Sequence, residues 1–212
     1  MLRMTLGVGT RIAVHFKAIM SSREHILVIA ATARELAVAD GWRTLLCGVG
    51  PVEAAAATAE AVAEMRPAAI LHVGIAGARR SSGLQAPAII IGTAARYCDL
   101  TVPPQWAPRE LTPSVLLLNT ASALLPEATL ARIGTTASVG GITGDASCDV
   151  EAMEGFAVLR AAERAGVPAI EIRAISNHIE EPDRAKWHFD EAFAAITGIT
   201  PHLVDEFARC VR

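Results

Sequence analysis

The sequence predicts an α/β protein, a three-layer α/β/α arrangement around a central mixed, largely parallel sheet. Three observations predict it. The apolar fraction is 52%, carried mostly by Ala, Val, Ile and Leu, while aromatics make up only 4%, a composition suited to helices laid on a buried sheet. Short continuous apolar runs alternate with alanine-rich stretches of helical length, as in strands joined by crossover helices. A chain of 212 residues is long enough for one full core and short for two.

Residues 1–24 read as an N-terminal extension outside the fold. Arg3, Arg11, Lys17 and Arg23 occur with no acid through residue 23, and Arg11, His15 and Lys17 break up the apolar core an export signal needs. The extension is expected to be disordered, or to reflect a start assigned upstream of Met20. Residues 25–212 are expected to form a single domain.

Residues 25–30 carry Ile-Leu-Val-Ile and read as a central strand. Thr32-Ala33-Arg34-Glu35 follows at once, so Glu35 falls in the first turn after a strand end. It is either a solvated acid that favours a helix N-terminus or a functional acid at the carboxyl end of a strand. Residues 43–47 give a second strand, leading into Gly48-Val49-Gly50-Pro51 and a helix to about Met65, with Pro51 where an opening turn welcomes it. Glu53-Ala54 stands where a dinucleotide fingerprint has its third glycine, which argues against NAD.

Residues 69–73 form another buried strand, and Gly74-Ile75-Ala76-Gly77-Ala78 is expected to be its turn. There Gly77 would let backbone N–H groups approach a ligand, or would serve packing alone. Residues 87–92 and 96–102 read as two strands, residues 103–113 with four prolines and Trp106 as a loop, and residues 114–130 as either helix or strand. Residues 133–142 form a strand ending in Thr143-Gly144-Asp145-Ala146.

The most informative stretch is Glu151-Ala152-Met153-Glu154-Gly155-Phe156, which opens an alanine-rich helix stopped by Gly166 and Pro168. A buried strand over residues 169–175 follows and runs out at Ser176-Asn177. Met153 and Glu154 at a helix start, with Arg173, Ser176 and Asn177 at a strand end, put a carboxylate, a guanidinium and an amide where packing explains them poorly. Residues 189–196 and 201–211 have helical spacing, with Trp187 just before them.

Composition narrows the function classes. The net charge is −3 with both signs interspersed, which argues against nucleic-acid and membrane partners. No apolar run reaches the ~18 residues needed to span a bilayer. Cys47, Cys98, Cys148 and Cys210 lack C-x-x-C spacing and read as reduced residues of a cytoplasmic protein. The six histidines lack metal-ligand spacing; neither metal nor cofactor is expected.

Glu-Ala-Met-Glu-Gly-Phe, Glu-Ile-Arg-Ala-Ile-Ser-Asn and Asp183-Arg184-Ala185-Lys186-Trp187 together resemble the nucleoside phosphorylase/nucleosidase superfamily, most closely its futalosine hydrolase family. The likeness runs over residues 26–197. It implies a nucleoside phosphorylase-like fold, a homo-oligomer of two or more copies, and hydrolysis of the N-ribosidic bond of futalosine, releasing hypoxanthine, in menaquinone biosynthesis. It also implies that Glu35 activates the attacking water. Met153 and Glu154 would hold the ribose, with Glu154 taking its hydroxyl hydrogen bonds. Gly77, Thr143 and Ser176 would contribute to nucleoside binding; Arg173 would either contact the substrate or partner an acid such as Glu154 or Asp145, and Trp187 would either line the pocket near the 5′ end or pack in the core.

Asn177 falls where adenine-releasing members carry Asp. An amide is no conventional acid, but it can donate at N7 or O6 of a 6-oxopurine and accept from N1–H. Water is favoured over phosphate, since Gly-Asp-Pro of the hexameric phosphorylases is absent from residues 30–35. Alternatives are a methylthioadenosine/S-adenosylhomocysteine-type nucleosidase and a non-catalytic nucleoside-binding relative. The segment from Asp145 to Met153 is shorter than in the family, which favours the second.

Overall fold

The computed structural model describes residues 23–139 and 147–211. The expected extension up to residue 22 and Thr143-Gly144-Asp145-Ala146 lie outside the described residues. Arg23, assigned to that extension, instead belongs to the fold: its guanidinium donates to Asp205 Oδ1 at 2.6 Å and to Asp40 Oδ2 at 2.9 Å.

Among the described residues eight strands form one mixed sheet: β1 (Ile26–Ala30), β2 (Arg43–Leu46), β3 (Ala69–Ala78), β4 (Ile89–Tyr97), β5 (Glu110–Leu111), β6 (Thr129–Thr135), β7 (Val150–Ala152) and β8 (Ala169–His178). Four helices accompany them: α1 (Pro51–Met65), α2 (Val115–Leu124), α3 (Gly155–Ala165) and α4 (Phe189–Cys210). β2, β1, β3 and β8 run parallel in that order. β8 then meets β4 antiparallel, β4 and β6 are parallel, β6 and β7 are parallel, and β7 returns antiparallel to β3. Five strands therefore close on themselves, while β2–β1 extends from β3 and β5 from β4. The sheet is mixed and largely parallel as expected, but it is not simply open.

Residues along the central strands point alternately to opposite faces. Val28, Leu71, Ile170 and Ile172 pack under α2 and α4, against Leu117, Leu203 and Phe207. Leu27, Ile29 and Ile70 pack against Ala54 and Ala61 of α1 and Val158 and Ala162 of α3. Both faces are covered, which is why these strands read as continuous apolar runs. Alanines on α1 and α3 let the two helices lie close over the sheet. A third apolar group, with Ala76, Ile90, Ile133, Val150 and Ile175, fills the closed part.

Several elements depart from the expected pattern. The strand expected over residues 133–142 is β6, which starts earlier and ends at Thr135, and β5 falls within the loop expected over residues 103–113. Gly74–Ala78 is not a turn: β3 continues through it, because β8 pairs with β3 along its whole length. Residues 87–92 and 96–102 are not two strands but the single β4, with a register shift between Gly92 and Ala94 against β6; one displaced residue bends a strand without ending it. The two helices expected before and after Pro201 are one, α4. Proline costs a helix its i−4 hydrogen bond, but Ile196, Leu203, Val204 and Phe207 are fully buried on the same core and hold both halves in line.

The long β3 changes partners along one edge, and this positions the site. Residues 69–72 pair with β1, and Gly77 and Ala78 pair with β7. Between those partners the edge is free of a strand. Such divergence of neighbouring strands is where α/β proteins open a crevice.

Candidate active site

Glu35 fills the gap left on the edge of β3. It sits on a single 3-10 turn, Ala33–Glu35, directly after β1. One carboxylate oxygen accepts from the Ile75 N–H at 3.1 Å, replacing the missing strand partner. The other accepts from the Thr32 N–H and the Thr32 hydroxyl, each at 2.8 Å. A carboxylate held by three donors, with its residue only 4% exposed, has a fixed orientation rather than the freedom of a surface acid.

Glu154 lies at the start of α3, also 4% exposed. Its Oε1 accepts from the Gly50 N–H at 3.1 Å and its Oε2 from Arg173 Nη2 at 3.2 Å. Gly50 has φ of +96°, a backbone angle that glycine adopts without strain. The Gly-x-Gly turn thus aims a backbone donor at Glu154.

Arg173 does not line the cavity; of the two roles expected of it, direct substrate contact or partner of an acid such as Glu154, the structure shows the second. It is 1% exposed and lies behind Glu154. Its Nε donates to Glu171 Oε1 at 2.8 Å, and its Nη2 contacts His72 Nε2 at 2.5 Å as well as Glu154. The guanidinium is drawn inward because two buried carboxylates need a cation there. The imidazole Nδ1 lies 3.1 Å from the Ile29 carbonyl, so Nδ1 carries the proton and Nε2 accepts from Arg173. Burial first, and then the Arg173 charge, hold His72 well below the ordinary histidine pKa; it is a neutral support. Burial raises the Glu171 carboxyl, opposed by Arg173. The Cys47 thiol is pushed up to about 12 by burial and then by Glu154, which fits the inert apolar role expected of it.

A cavity of about 400 Å³ gathers the remaining expected residues. Glu35, Gly77, Met153, Glu154, Ser176, Asn177 and Trp187 all line it. Gly77 pairs with Asn177 across β3 and β8 and with Glu151 across β3 and β7. Ser176 Oγ donates to Asn177 Oδ1 at 2.8 Å, and Asn177 Nδ2 donates to the His178 carbonyl at 2.9 Å. Each amide atom retains capacity for one further partner. Thr143 lies outside the described residues.

Residues to which the sequence assigned no role also face this cavity. Glu151 does, with Arg79 Nη2 at 2.5 Å; it is the first residue of the Glu-Ala-Met-Glu run, and the period-two alternation of β7 could have placed it on the same side as Met153. Phe189 and Phe193 extend the aromatic wall begun by Trp187, with ring centroids 5.4 Å and 6.0 Å apart in sequence along the wall. Their i, i+4 spacing on α4 was visible but reads equally as core. Asp99 braces the rim, accepting from Thr136 Oγ1 at 3.1 Å and the Ala137 N–H at 2.6 Å. Among the described residues no three His, Cys, Asp or Glu side chains form a group able to hold a metal ion.

Glu35 and Glu154, with different supports, therefore face one cavity together with the Arg79-paired Glu151, while an amide and aromatic rings also line it. The arrangement can hold a polyol next to a positioned base while hydrogen-bonding a planar heterocycle. A family model described as the phosphorylase superfamily matches residues 43–209. The chain is 36% identical over 184 residues to a futalosine hydrolase of Streptomyces coelicolor, covering 74% of this chain and 76% of that protein. Among solved structures, the Streptococcus pneumoniae MTA/SAH nucleosidase in complex with 8-aminoadenine is similar with a TM-score of 0.72 and 19% identity, over 87% of this chain and 99% of that one. The native futalosine hydrolase of Helicobacter pylori is similar with a TM-score of 0.73 and 13% identity, over 87% and 97%.

Proposed function

Because this chain belongs to the phosphorylase superfamily, we propose that it is an N-glycosyl hydrolase that cleaves futalosine at its N-ribosidic bond and releases hypoxanthine, a step of menaquinone biosynthesis. The observation that carries the reading is that Glu35, Glu154 and Asn177 face one cavity. The likeness to the Streptomyces coelicolor protein supports the substrate.

The roles follow from the supports each group has. Glu35, fixed by Thr32 and Ile75, takes a proton from water as the water oxygen bonds to C1′ of the ribose. The bond from C1′ to N9 breaks, its electron pair passes to the purine, and the proton is returned to the leaving base through solvent. Glu154 accepts hydrogen bonds from the ribose hydroxyls, which tighten as the ring flattens toward an oxocarbenium ion. Met153 lies under the sugar as an apolar floor. Asn177 donates to the purine at N7 or O6 as negative charge builds there, a stabilisation that needs a positioned donor rather than an acid. Arg173 acts through Glu154 as a positioning residue. Thr143 contributes on the base side.

The protein works in the cytoplasm on a small nucleoside, as a homo-oligomer of two or more copies. No described helix is long and apolar enough to cross a membrane.

The test is incubation of purified protein with futalosine in ¹⁸O-labelled water without phosphate. Hypoxanthine release with ¹⁸O at C1 of the sugar product supports the reading. A strict requirement for phosphate, or binding with no base released, would overturn it.

A further inference from the structure

A buried carboxylate outside the cavity lining, Glu171, takes no part in the chemistry above. It stands two residues before Arg173 on β8, and the pair lies opposite His72 and Gly74 of β3. Alternation along the strand puts Glu171 and Arg173 on one face.

Arg173 there serves three carboxylates rather than one. Its Nε donates to Glu171 Oε1 at 2.8 Å and its Nη2 to Glu154 Oε2 at 3.2 Å. Toward Glu35 only Gly74 intervenes: a Cβ on that glycine would lie 2.1 Å from Arg173 Nη1 and 2.7 Å from Glu35 Oε1. A single cation therefore lies between the two acids of the site, and Glu171 holds it by the remaining nitrogen.

Glu171 is poorly accounted for as a stabiliser. Among the described residues its Oε2 has no hydrogen-bond partner, and an orphaned buried oxygen costs stability. It fits only because residue 155 is glycine: a Cβ there would lie 1.9 Å from Oε2 and 2.3 Å from Oε1. Burial raises the Glu171 carboxyl, opposed by Arg173. A carboxyl raised in the fold contributes stability at low pH that is lost as pH rises through the folded value, so ionised Glu171 is a cost to the fold. Strain and charge kept at such a cost beside reacting groups belong to function.

We propose that Glu171 is a positioning residue: by holding Arg173 through Nε, it limits the pull of the guanidinium on Glu35 and Glu154 and keeps both acids aimed at the ribose. This rests on the hydrolase reading above, since it supposes that those two acids do the chemistry. Without the Glu171 charge, Arg173 turns wholly on Glu35 and Glu154. Glu35 is then a weaker base and Glu154 a poorer acceptor for the ribose hydroxyls.

The test compares wild type, Glu171→Gln and Glu171→Asp near neutral pH, in kcat and KM on futalosine and in thermal unfolding midpoint. Glu171→Gln keeps the shape and removes the charge. Its kcat is expected to fall about 10- to 100-fold, the order that a small misplacement of reacting groups costs, with KM nearly unchanged. Its midpoint is expected to equal or exceed that of wild type, because repulsion from Glu154 is relieved while Arg173 keeps Glu154 as a partner. Glu171→Asp keeps the charge and is expected to recover part of the lost kcat.

A wild-type kcat in Glu171→Gln overturns the assignment. So does a lowered midpoint with KM raised as kcat falls, which marks a structural support, and so does a Glu171→Asp no more active than Glu171→Gln. If wild type releases no base from futalosine, the hydrolase reading falls and the positioning role with it. Turnover by wild type with an indifferent Glu171 sinks the positioning role alone.

Discussion

Gly74→Ala puts a methyl group at the point where the two halves of the site meet. A Cβ built on Gly74 lies 2.1 Å from Arg173 Nη1 and 2.7 Å from Glu35 Oε1, whereas ordinary contact begins at 3.4 Å. The guanidinium must therefore retreat by about 1.3 Å and the carboxylate by about 0.7 Å. Neither has room: Arg173 is 1% exposed and bonded to Glu171, His72 and Glu154, and Glu35 is held by Thr32 and Ile75. Overpacking a filled site costs about 1–3 kcal/mol. Displacement of a catalytic group by about 1 Å costs on the order of 100-fold in rate. Urea unfolding followed by far-ultraviolet circular dichroism reads the first, and kcat/KM on futalosine reads the second. Gly74→Ala with wild-type stability and wild-type turnover would refute the argument that one backbone position sets both acids.

The remaining predictions address single groups. Glu35→Gln is expected to lower kcat by about 10²–10⁴ with little change in KM, since it removes a base and keeps the side chain's shape; stopped-time assays of hypoxanthine release decide it. Asn177→Asp is expected to raise adenine release from methylthioadenosine relative to hypoxanthine release from futalosine, measured by chromatography of the released base; unchanged selectivity would remove Asn177 from base recognition. His72 has a depressed folded pKa, so its neutral form contributes stability that is present above about pH 6.5 and lost as pH falls. Between pH 6.5 and 5.5 the wild type is expected to lose about 1 kcal/mol relative to His72→Asn, read from unfolding midpoints at each pH; parallel curves would contradict a neutral buried imidazole. Cys47, pushed up to about 12, is expected to resist alkylation at pH 8 in the native protein and to react once the chain is unfolded in urea, followed by mass spectrometry.

Much of this site was legible because strand ends and helix starts leave marks in a sequence. Glu35 follows a short apolar run at once, and Met153-Glu154 sit at the head of an alanine-rich helix. Ser176 and Asn177 come where the apolar run of β8 stops, and each falls on the cavity. What was not legible depended on neighbours across the sheet. Gly74–Ala78 has the composition of a turn, yet β8 alongside keeps it extended. The absence of a side chain at Gly74 makes room for Arg173 and Glu35 rather than for a bend.

Arg173 stands near a strand end like Ser176, but side chains alternate along a strand. Its side was decided by Glu171, two residues earlier on the same face, and by His72 from the adjacent β3. The closure of β3, β8, β4, β6 and β7 rests on the three-residue β7, too short to register as a strand in its own right. Pro201 looked like a helix boundary because proline is a local signal. Burial of α4 on the sheet is a global one and prevails.

The central claim is that two supported carboxylates act on one ribose while an amide recognises an oxygenated purine. The most direct measurement offers the purified wild-type protein an equimolar mixture of futalosine and methylthioadenosine and follows both released bases over time. Hypoxanthine is expected to accumulate well ahead of adenine, and neither should form with the Glu35→Gln, Glu154→Gln double variant. Adenine accumulating first, or hypoxanthine still forming at the wild-type rate in the double variant, would contradict the account.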